Sequence, residues 1–382
     1  MCNILIFESG TVGYGGSFKC CHSIATILKE YGYSPYIISN YDSIYWKKLN
    51  HNGIVVKKLY SNNFLICLEK ISKKMNRKFP YFSVIIDYFL YINIINNLKR
   101  FIFNKNIALI HTNTHFYSDF LVYKLAVACK LPVICHLRSM PRRSLTRQEK
   151  KLTGYKNSYF IAISRAVLKE WVRAGLPEYK IKIIYDGLSG IVDKSNDENY
   201  FLKNPSIIYL LFAGRLKKQK GVNILIDALK ILKSENWKLS IVGNGPEMKK
   251  LKIMAIKKGL SEKITFYGFR ENIRDFYRSH DILIVPSMKE EFGLVILEAM
   301  EFGVPVIGSD SGGIPEIIKN ERDGLLFEPG NPVSLSASIK YLIKNPEKRV
   351  SIGLKGMEKV KRIFSENDFR EKLIETYDDI LN

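Results

Sequence analysis

Apolar residues along this chain gather in short runs separated by amphipathic stretches and turn residues. Asn3–Phe7, Tyr36–Ser39, Ala108–His111, Pro132–His136 and Tyr159–Ser164 are such runs. Each is followed by a turn or a helix-like stretch, of which Ser17–Tyr31 is the first. Runs this short and this continuously apolar predict strands covered on both faces. Their alternation with helices predicts parallel strands joined by crossovers. The pattern pauses at a polar stretch, Asp193–Asn204, and restarts. Ile207–Gly214, Leu239–Gly243, Ile264–Tyr267, Asp281–Pro286 and Val304–Gly308 are the strands expected there. Val222–Lys233, Glu247–Lys258 and Leu294–Phe302 are the expected helices, and Glu366–Leu381 closes the chain as another.

At roughly 100–200 residues per domain, a chain of this length fits two domains. The expected fold class is α/β, with two facing Rossmann-like, doubly wound parallel-sheet domains. Their expected bounds are 1–190 and 191–365, with 366–382 as a terminal helix. Ligands of such sheets bind outside the carboxyl ends of the strands. A cleft between the domains is therefore the expected site.

Cysteine usage narrows the chemistry. Cys2, Cys20, Cys21, Cys67, Cys129 and Cys135 include no C-x-x-C pair, which argues against a zinc or redox motif. Most sit in apolar runs, as small core residues do, and a reducing compartment fits them. The apolar start is too short for a secretory signal. The greasiest stretch, Val84–Ile95, is broken by Asp87 and Asn93 and falls short of the ~20 residues of a membrane span. A cytoplasmic location follows.

Charge changes the picture most. Residues 1–190 hold 28 Lys and Arg against 10 Asp and Glu, whereas residues 191–382 hold 31 against 27. An anionic partner is expected for the first half. Phe64, Leu68, Ile71, Met75 and Phe79 fall on one helical face, with Lys70, Lys73, Lys74, Arg77 and Lys78 on the others. That arrangement suits an anionic membrane surface, where each cation contributes about 1 kcal/mol. It equally fits a helix packed on its own sheet with solvated lysines. Arg142, Arg143, Arg147, Lys150 and Lys151 form a second basic run, expected as a loop. Nucleic acid is the other partner that charge permits, but no motif of that kind accompanies it.

Three segments carry candidate chemistry. The first is Glu290-Glu-Phe-Gly-Leu-Val-Ile-Leu-Glu298, which follows the strand ending at Val285-Pro286-Ser287. Backbone amides of Gly293, Leu294 and Val295 at a helix start would attract phosphate. Glu298 lies about one turn further on, within reach of a ribose hydroxyl, and Glu290 would reach a sugar. The same spacing also fits an amphipathic helix with two solvated carboxylates. The second is Leu211-Phe-Ala-Gly-Arg-Leu-Lys-Lys-Gln-Lys-Gly221, where Arg215 and Lys220 flank a turn after Gly214 and could neutralise a diphosphate. A merely basic loop is the alternative, and Lys217 and Lys218 read that way. The third is Gly13-Tyr-Gly-Gly16, where glycine lets backbone approach a ligand. The dinucleotide fingerprint is incomplete, since its third glycine would fall at Phe18. His111 and His115 have i,i+4 spacing, but they lie in a loop at a strand end with no third ligand in view, so no metal site is expected.

Together these segments resemble the retaining GT-B glycosyltransferases of the group 1, or family 4, type. Ile241-Val-Gly-Asn-Gly-Pro-Glu247, Ile264-Thr-Phe-Tyr-Gly-Phe269, Ser309-Asp-Ser-Gly-Gly-Ile-Pro-Glu316 and Asp323-Gly-Leu-Leu-Phe327 match that family's ordered motifs. The resemblance implies transfer of a sugar from a UDP- or GDP-linked donor. It also implies retention of configuration, with no cofactor and no essential metal. By the same resemblance Arg215 and Lys220 bind the diphosphate, while Glu290 contacts the sugar and Glu298 the ribose. Gly15 and Gly16 approach the phosphates, and His136, in Ile134-Cys-His-Leu-Arg138, lies near the transferred sugar. Gly214, Gly243, Phe269, Phe292, Gly293, Leu294 and Val295 complete the expected donor site. The family's Asn-Gly-Ile/Val-Asp turn appears as Asp186-Gly187-Leu188-Ser189, a departure at its last position. The last helix is expected to cross back to the first domain. With the basic first half, a lipid-linked saccharide acceptor is expected, as in bacterial surface-polysaccharide assembly at the inner face of the membrane. A non-hydrolysing nucleotide-sugar epimerase is the alternative enzyme, and a basic nucleic-acid binder the alternative of another class.

Overall fold

The computed structural model describes residues 2–8, 16–39, 54–58, 92–93, 95–113, 116–188 and 206–382. They form two compact units. The first comprises Met1–Ile163, Leu168–Ile184 and Arg370–Asn382, and the second Ser164–Val167 and Tyr185–Phe369. The helix Glu366–Leu381 thus contributes its first turn to the second unit and the rest to the first.

The first unit holds seven strands, β1 (Asn3–Glu8), β2 (Ser34–Ser39), β3 (Val55–Lys58), β4 (Ile107–Thr112), β5 (Val133–Leu137), β6 (Ser158–Ala162) and β7 (Ile181–Ile183). They lie in the order β3-β2-β1-β4-β5-β6-β7, every pair parallel. The second unit holds β8 (Ile208–Ala213), β9 (Trp237–Val242), β10 (Ile264–Gly268), β11 (Ile282–Val285), β12 (Val306–Ser309) and β13 (Leu325–Phe327). Their order is β10-β9-β8-β11-β12-β13, again all parallel. Winding therefore reverses between β1 and β4 in one sheet and between β8 and β11 in the other. Those reversals open the crevices where doubly wound sheets take ligands.

The central strands are mostly apolar because they are covered on both faces. Ile282, Leu283, Ile284 and Val285 are all buried, as are Ile4, Leu5, Ile6 and Phe7. Burying each such side chain contributes about 1.5–3 kcal/mol. Three strands lacked a clear run: β3, β7 and β13 are edge strands of three or four residues. Two helices not anticipated, Pro332–Lys344 and Pro346–Ile363, carry a start signal in Asn331-Pro332 and Asn345-Pro346. The Asn331 side chain accepts from the N–H groups of Val333 and Ser334, and proline suits the first helical turn.

The loops after β8, β11 and β12 pack backbone against backbone. A Cβ on Gly221 would sit 1.8 Å from the Pro286 carbonyl oxygen, and one on Gly312 would sit 1.9 Å from that of Glu290. Both residues also have positive φ, 67° and 58°, which only glycine adopts freely. Gly259 serves as an internal control: its φ is 65°, but an added Cβ meets only the flexible tip of Lys233. Gly259→Ala should cost about 1 kcal/mol for the backbone conformation alone. Gly221→Ala should cost about 3 kcal/mol or more, because a carbonyl must also move. Urea melts of the two variants check this, and equal midpoints would refute the close approach.

Candidate active site

In the second unit, β8 and β11 present their carboxyl ends at the reversal point. Gly214 follows β8, and its N–H continues the ladder to Val242 at 2.9 Å; Gly243 follows β9 and donates to Gly268 at 2.7 Å. From the loop after β8, Lys220 Nζ reaches both carboxylate oxygens of Glu290 at 2.8 Å. Ser287 Oγ donates to the same carboxylate at 2.7 Å. Glu290 is buried at 6% exposure, whereas the Lys220 side chain keeps 22%. A charge this enclosed persists only when paired and hydrogen-bonded. The loop after β12 holds the arrangement from the other side, with Gly313 N–H on the Glu290 carbonyl at 3.0 Å and Ser311 Oγ on that of Ser287 at 2.8 Å. The neighbouring Glu291 has its carboxyl raised above the usual range by burial, with Lys220 pulling it down.

The remaining expected residues divide. Arg215 follows Gly214 and is exposed; its carbonyl accepts from Lys217 N–H at 2.8 Å, while its side chain makes no hydrogen bond or ion pair with a described residue. Gly293 begins the helix Leu294–Glu301 in the left-handed region, φ 108°, which turns the chain from the acidic loop into the helix. Leu294 and Val295 are half-buried in its first turn. Glu298 is half-buried on the same helix and accepts a 2.9 Å bond from the buried Tyr277 hydroxyl. Phe269 is 46% exposed after β10. Phe292 is buried, its ring stacked on Tyr185 at 5.5 Å, so its role within this unit is packing. Gly16 starts the helix Gly16–Glu30. Gly13, Gly15, His115, the stretch Asp193–Asn204 and the basic face from Phe64 to Phe79 lie outside the described residues.

His136 belongs to the first unit, on β5. There the reversal point is bridged by Asn113, after β4, whose Nδ2 donates to Glu8 at the end of β1 at 2.6 Å. Arg138 Nε donates to Asn113 Oδ1 at 2.8 Å. His136 Nδ1 lies 3.3 Å from His111 Nε2, and His111 Nδ1 lies 2.5 Å from the Tyr377 hydroxyl. Both rings are buried. Burial first, and Arg138 second, lower His111 to about 3 and hold His136 well below the usual histidine range. Glu8, Asn113, Arg138 and Tyr377 had not been singled out for a role in the sequence. Arg138 stood in the quoted strand end, and Glu8 was the one acid closing an apolar run.

The second basic run is not wholly a loop, because Arg147–Thr153 is a helix. Thr146 and Glu149 form its capping box, and Arg143 binds both Glu149 oxygens at 2.8 and 2.9 Å. Thr-x-x-Glu was the available signal. Among the described residues no helix is long and apolar enough to cross a membrane, and no three His, Cys, Asp or Glu side chains gather as a metal site requires.

Comparison with known proteins places this geometry in a family. The model of glycosyl transferases group 1 matches residues 193–359. The glycosyltransferase MJ1178 of Methanocaldococcus jannaschii is 31% identical, over 68% of this chain and 72% of its own length. Another from that organism, MJ1607, is 34% identical over 52% of this chain, which spans only 57% of it. The amylovoran biosynthesis glycosyltransferase AmsK of Erwinia amylovora is 26% identical, over 72% of this chain and 70% of its own. Among solved structures, Anabaena Alr3699/HepE in complex with UDP and glucose superposes with a TM-score of 0.79 at 21% identity, over 98% of this chain and 99% of that one. The fold is thus the GT-B fold, and the chain belongs to the group 1 glycosyl transferases.

Two outcomes test the site's physics. Lys220→Met should destabilise the second unit by about 3 kcal/mol, because it strands a buried carboxylate. Lys220→Met/Glu290→Gln should recover at least half of that loss in urea melts. A double variant no more stable than the single would show that the pair is not coupled. In the first unit, unfolded histidines take up protons below pH 6.5 while the folded, buried ones do not. Stability should therefore be complete above pH 6.5 and fall with pH toward about 3. Each histidine contributes a slope of up to about 1.4 kcal/mol per pH unit. His111→Gln should flatten the profile between pH 6.5 and 4, and an unchanged slope would count against burial as the cause.

Proposed function

We propose that the chain transfers a sugar, with retention of configuration and without a metal ion, from a UDP- or GDP-linked donor to a lipid-linked saccharide acceptor. The observation that carries this reading is the pairing of Lys220 with Glu290 beside the uncommitted Arg215 at the carboxyl ends of β8 and β11. Breaking the bond between anomeric carbon and diphosphate leaves negative charge on the departing phosphate. Preorganised cations facing that charge supply the largest catalytic term. Arg215 has its guanidinium available for this, and Lys220 keeps a third N–H while two point at Glu290. Glu290 fixes the lysine and meets a sugar hydroxyl, and Glu298 meets the ribose. The acceptor oxygen bonds to the anomeric carbon on the face the phosphate leaves, and its proton passes to a phosphate oxygen.

The name of AmsK, a relative across most of this chain, supports surface-polysaccharide assembly as the setting. The basic excess of residues 1–190 supports binding at the inner membrane face, beside anionic headgroups and a lipid diphosphate. Incubation with membrane lipid extract and a labelled nucleotide sugar, with EDTA present, tests the whole reading. Label should enter the lipid fraction with equimolar nucleotide release and a retained anomer. Arg215→Ala should lower kcat by about 10²–10³. An epimerised nucleotide sugar without release, or an Arg215→Ala rate near that of the parent, would overturn it.

A further inference from the structure

The buried polar chain of the first unit contains one atom that its neighbours leave over. His136 Nε2 is buried and has no hydrogen-bond partner among the described residues. Its other nitrogen faces two groups, His111 Nε2 at 3.3 Å and Arg138 Nη2 at 3.5 Å. Arginine can only donate. His136 Nδ1 must therefore be the bare, accepting nitrogen of a neutral ring. It follows that His111 Nε2 carries the hydrogen it shares, and that His111 Nδ1 is bare in turn. A bare Nδ1 on His111 is what the Tyr377 hydroxyl, 2.5 Å away, requires as an acceptor. The order of donors then runs one way, from Tyr377 to His111 to His136, and leaves the His136 Nε2–H as the unspent donor. Arg138 is itself held by Asn113, which is held by Glu8. The His111 ring also packs against that of Tyr377, at 5.9 Å and 27°.

We propose that Tyr377 and His111 are positioning residues that fix His136 as the Nε2–H tautomer, a hydrogen-bond donor reserved for a substrate oxygen. The substrate's nature rests on the function proposed above; the tautomer does not. A neutral donor in a dry site polarises an oxygen without introducing a second cation, and it cannot serve as a base. Tyr377 lies in the part of the last helix that belongs to the first unit, so that helix sets the chemistry of a histidine far from it in sequence.

Nitrogen-15 labelling of the six histidines in the full chain, read through long-range proton–nitrogen correlations at pH 7.5 without nucleotide, measures their tautomers. His111 and His136 should each show the neutral Nε2–H pattern. His111→Leu removes the nearer of the two donors to His136 Nδ1 and leaves only the longer 3.5 Å contact of Arg138, so an Nδ1–H form should appear beside the Nε2–H one. His111→Gln should restore the single form, since its amide N–H₂ donates to His136 while its carbonyl accepts from Tyr377. Tyr377→Phe, which keeps the ring and its packing, should release His111 from its single tautomer. A His136 that is charged or Nδ1–H in the parent would overturn the proposal, as would a His111 unaffected by Tyr377→Phe. Because no nucleotide is present, failure of donor binding leaves this result readable.

Discussion

The Lys220–Glu290 ion pair crosses the reversal point of the second sheet, and the loops around it are arranged by what that pair requires. A carboxylate this buried must be met by a cation and by donors. Lys220 comes from the loop after β8, Ser287 from the end of β11, and the loop after β12 closes against the backbone of Glu290. Three loops are thus tied at one place by one charge. Backbones must come within contact distance for this to happen, and that is why Gly221 and Gly312 have no room for a side chain. The arrangement holds both signs of charge together, Glu290 buried and Lys220 partly so, and enclosed charges are less screened than charges in water.

The first unit solves the same topological problem with different chemistry. Its reversal point is bridged by Glu8 and Asn113, and the charge there is answered at one remove by Arg138. Two histidines fill the next layer, and burial keeps them neutral. Where the second unit offers cations, the first offers a neutral donor. The two units share a winding and differ in the chemistry at its reversal point.

Much of this was legible in the sequence because doubly wound sheets write themselves plainly. A strand covered on both faces is largely apolar, so β1, β4, β8 and β11 stood out as runs. Edge strands β3, β7 and β13 did not, since three or four residues half-covered leave no run to see. The two late helices are marked in the sequence by their Asn-Pro starts rather than by an apolar run. At the site, the spacing of Glu290 and Glu298 and the Arg215–Lys220 loop were legible as motifs. That Lys220 and Glu290 bind each other was not, because seventy residues separate them and only the sheet order brings them together. The relay through His111 to Tyr377 was hidden for the same reason, across 266 positions. Phe292 shows what a motif does not carry: its ring stacks on Tyr185, more than a hundred positions earlier in the chain.

The proposed function requires that a nucleoside diphosphate be held by Arg215 and Lys220 with no metal between. Calorimetric titration of UDP and of GDP, each with EDTA, addresses it directly in the parent and in Arg215→Ala. One nucleotide should bind the parent, and the variant should bind it at least tenfold more weakly, a loss of about 1.4 kcal/mol. Equal affinity in the two proteins, or binding that requires a divalent ion, would contradict the account.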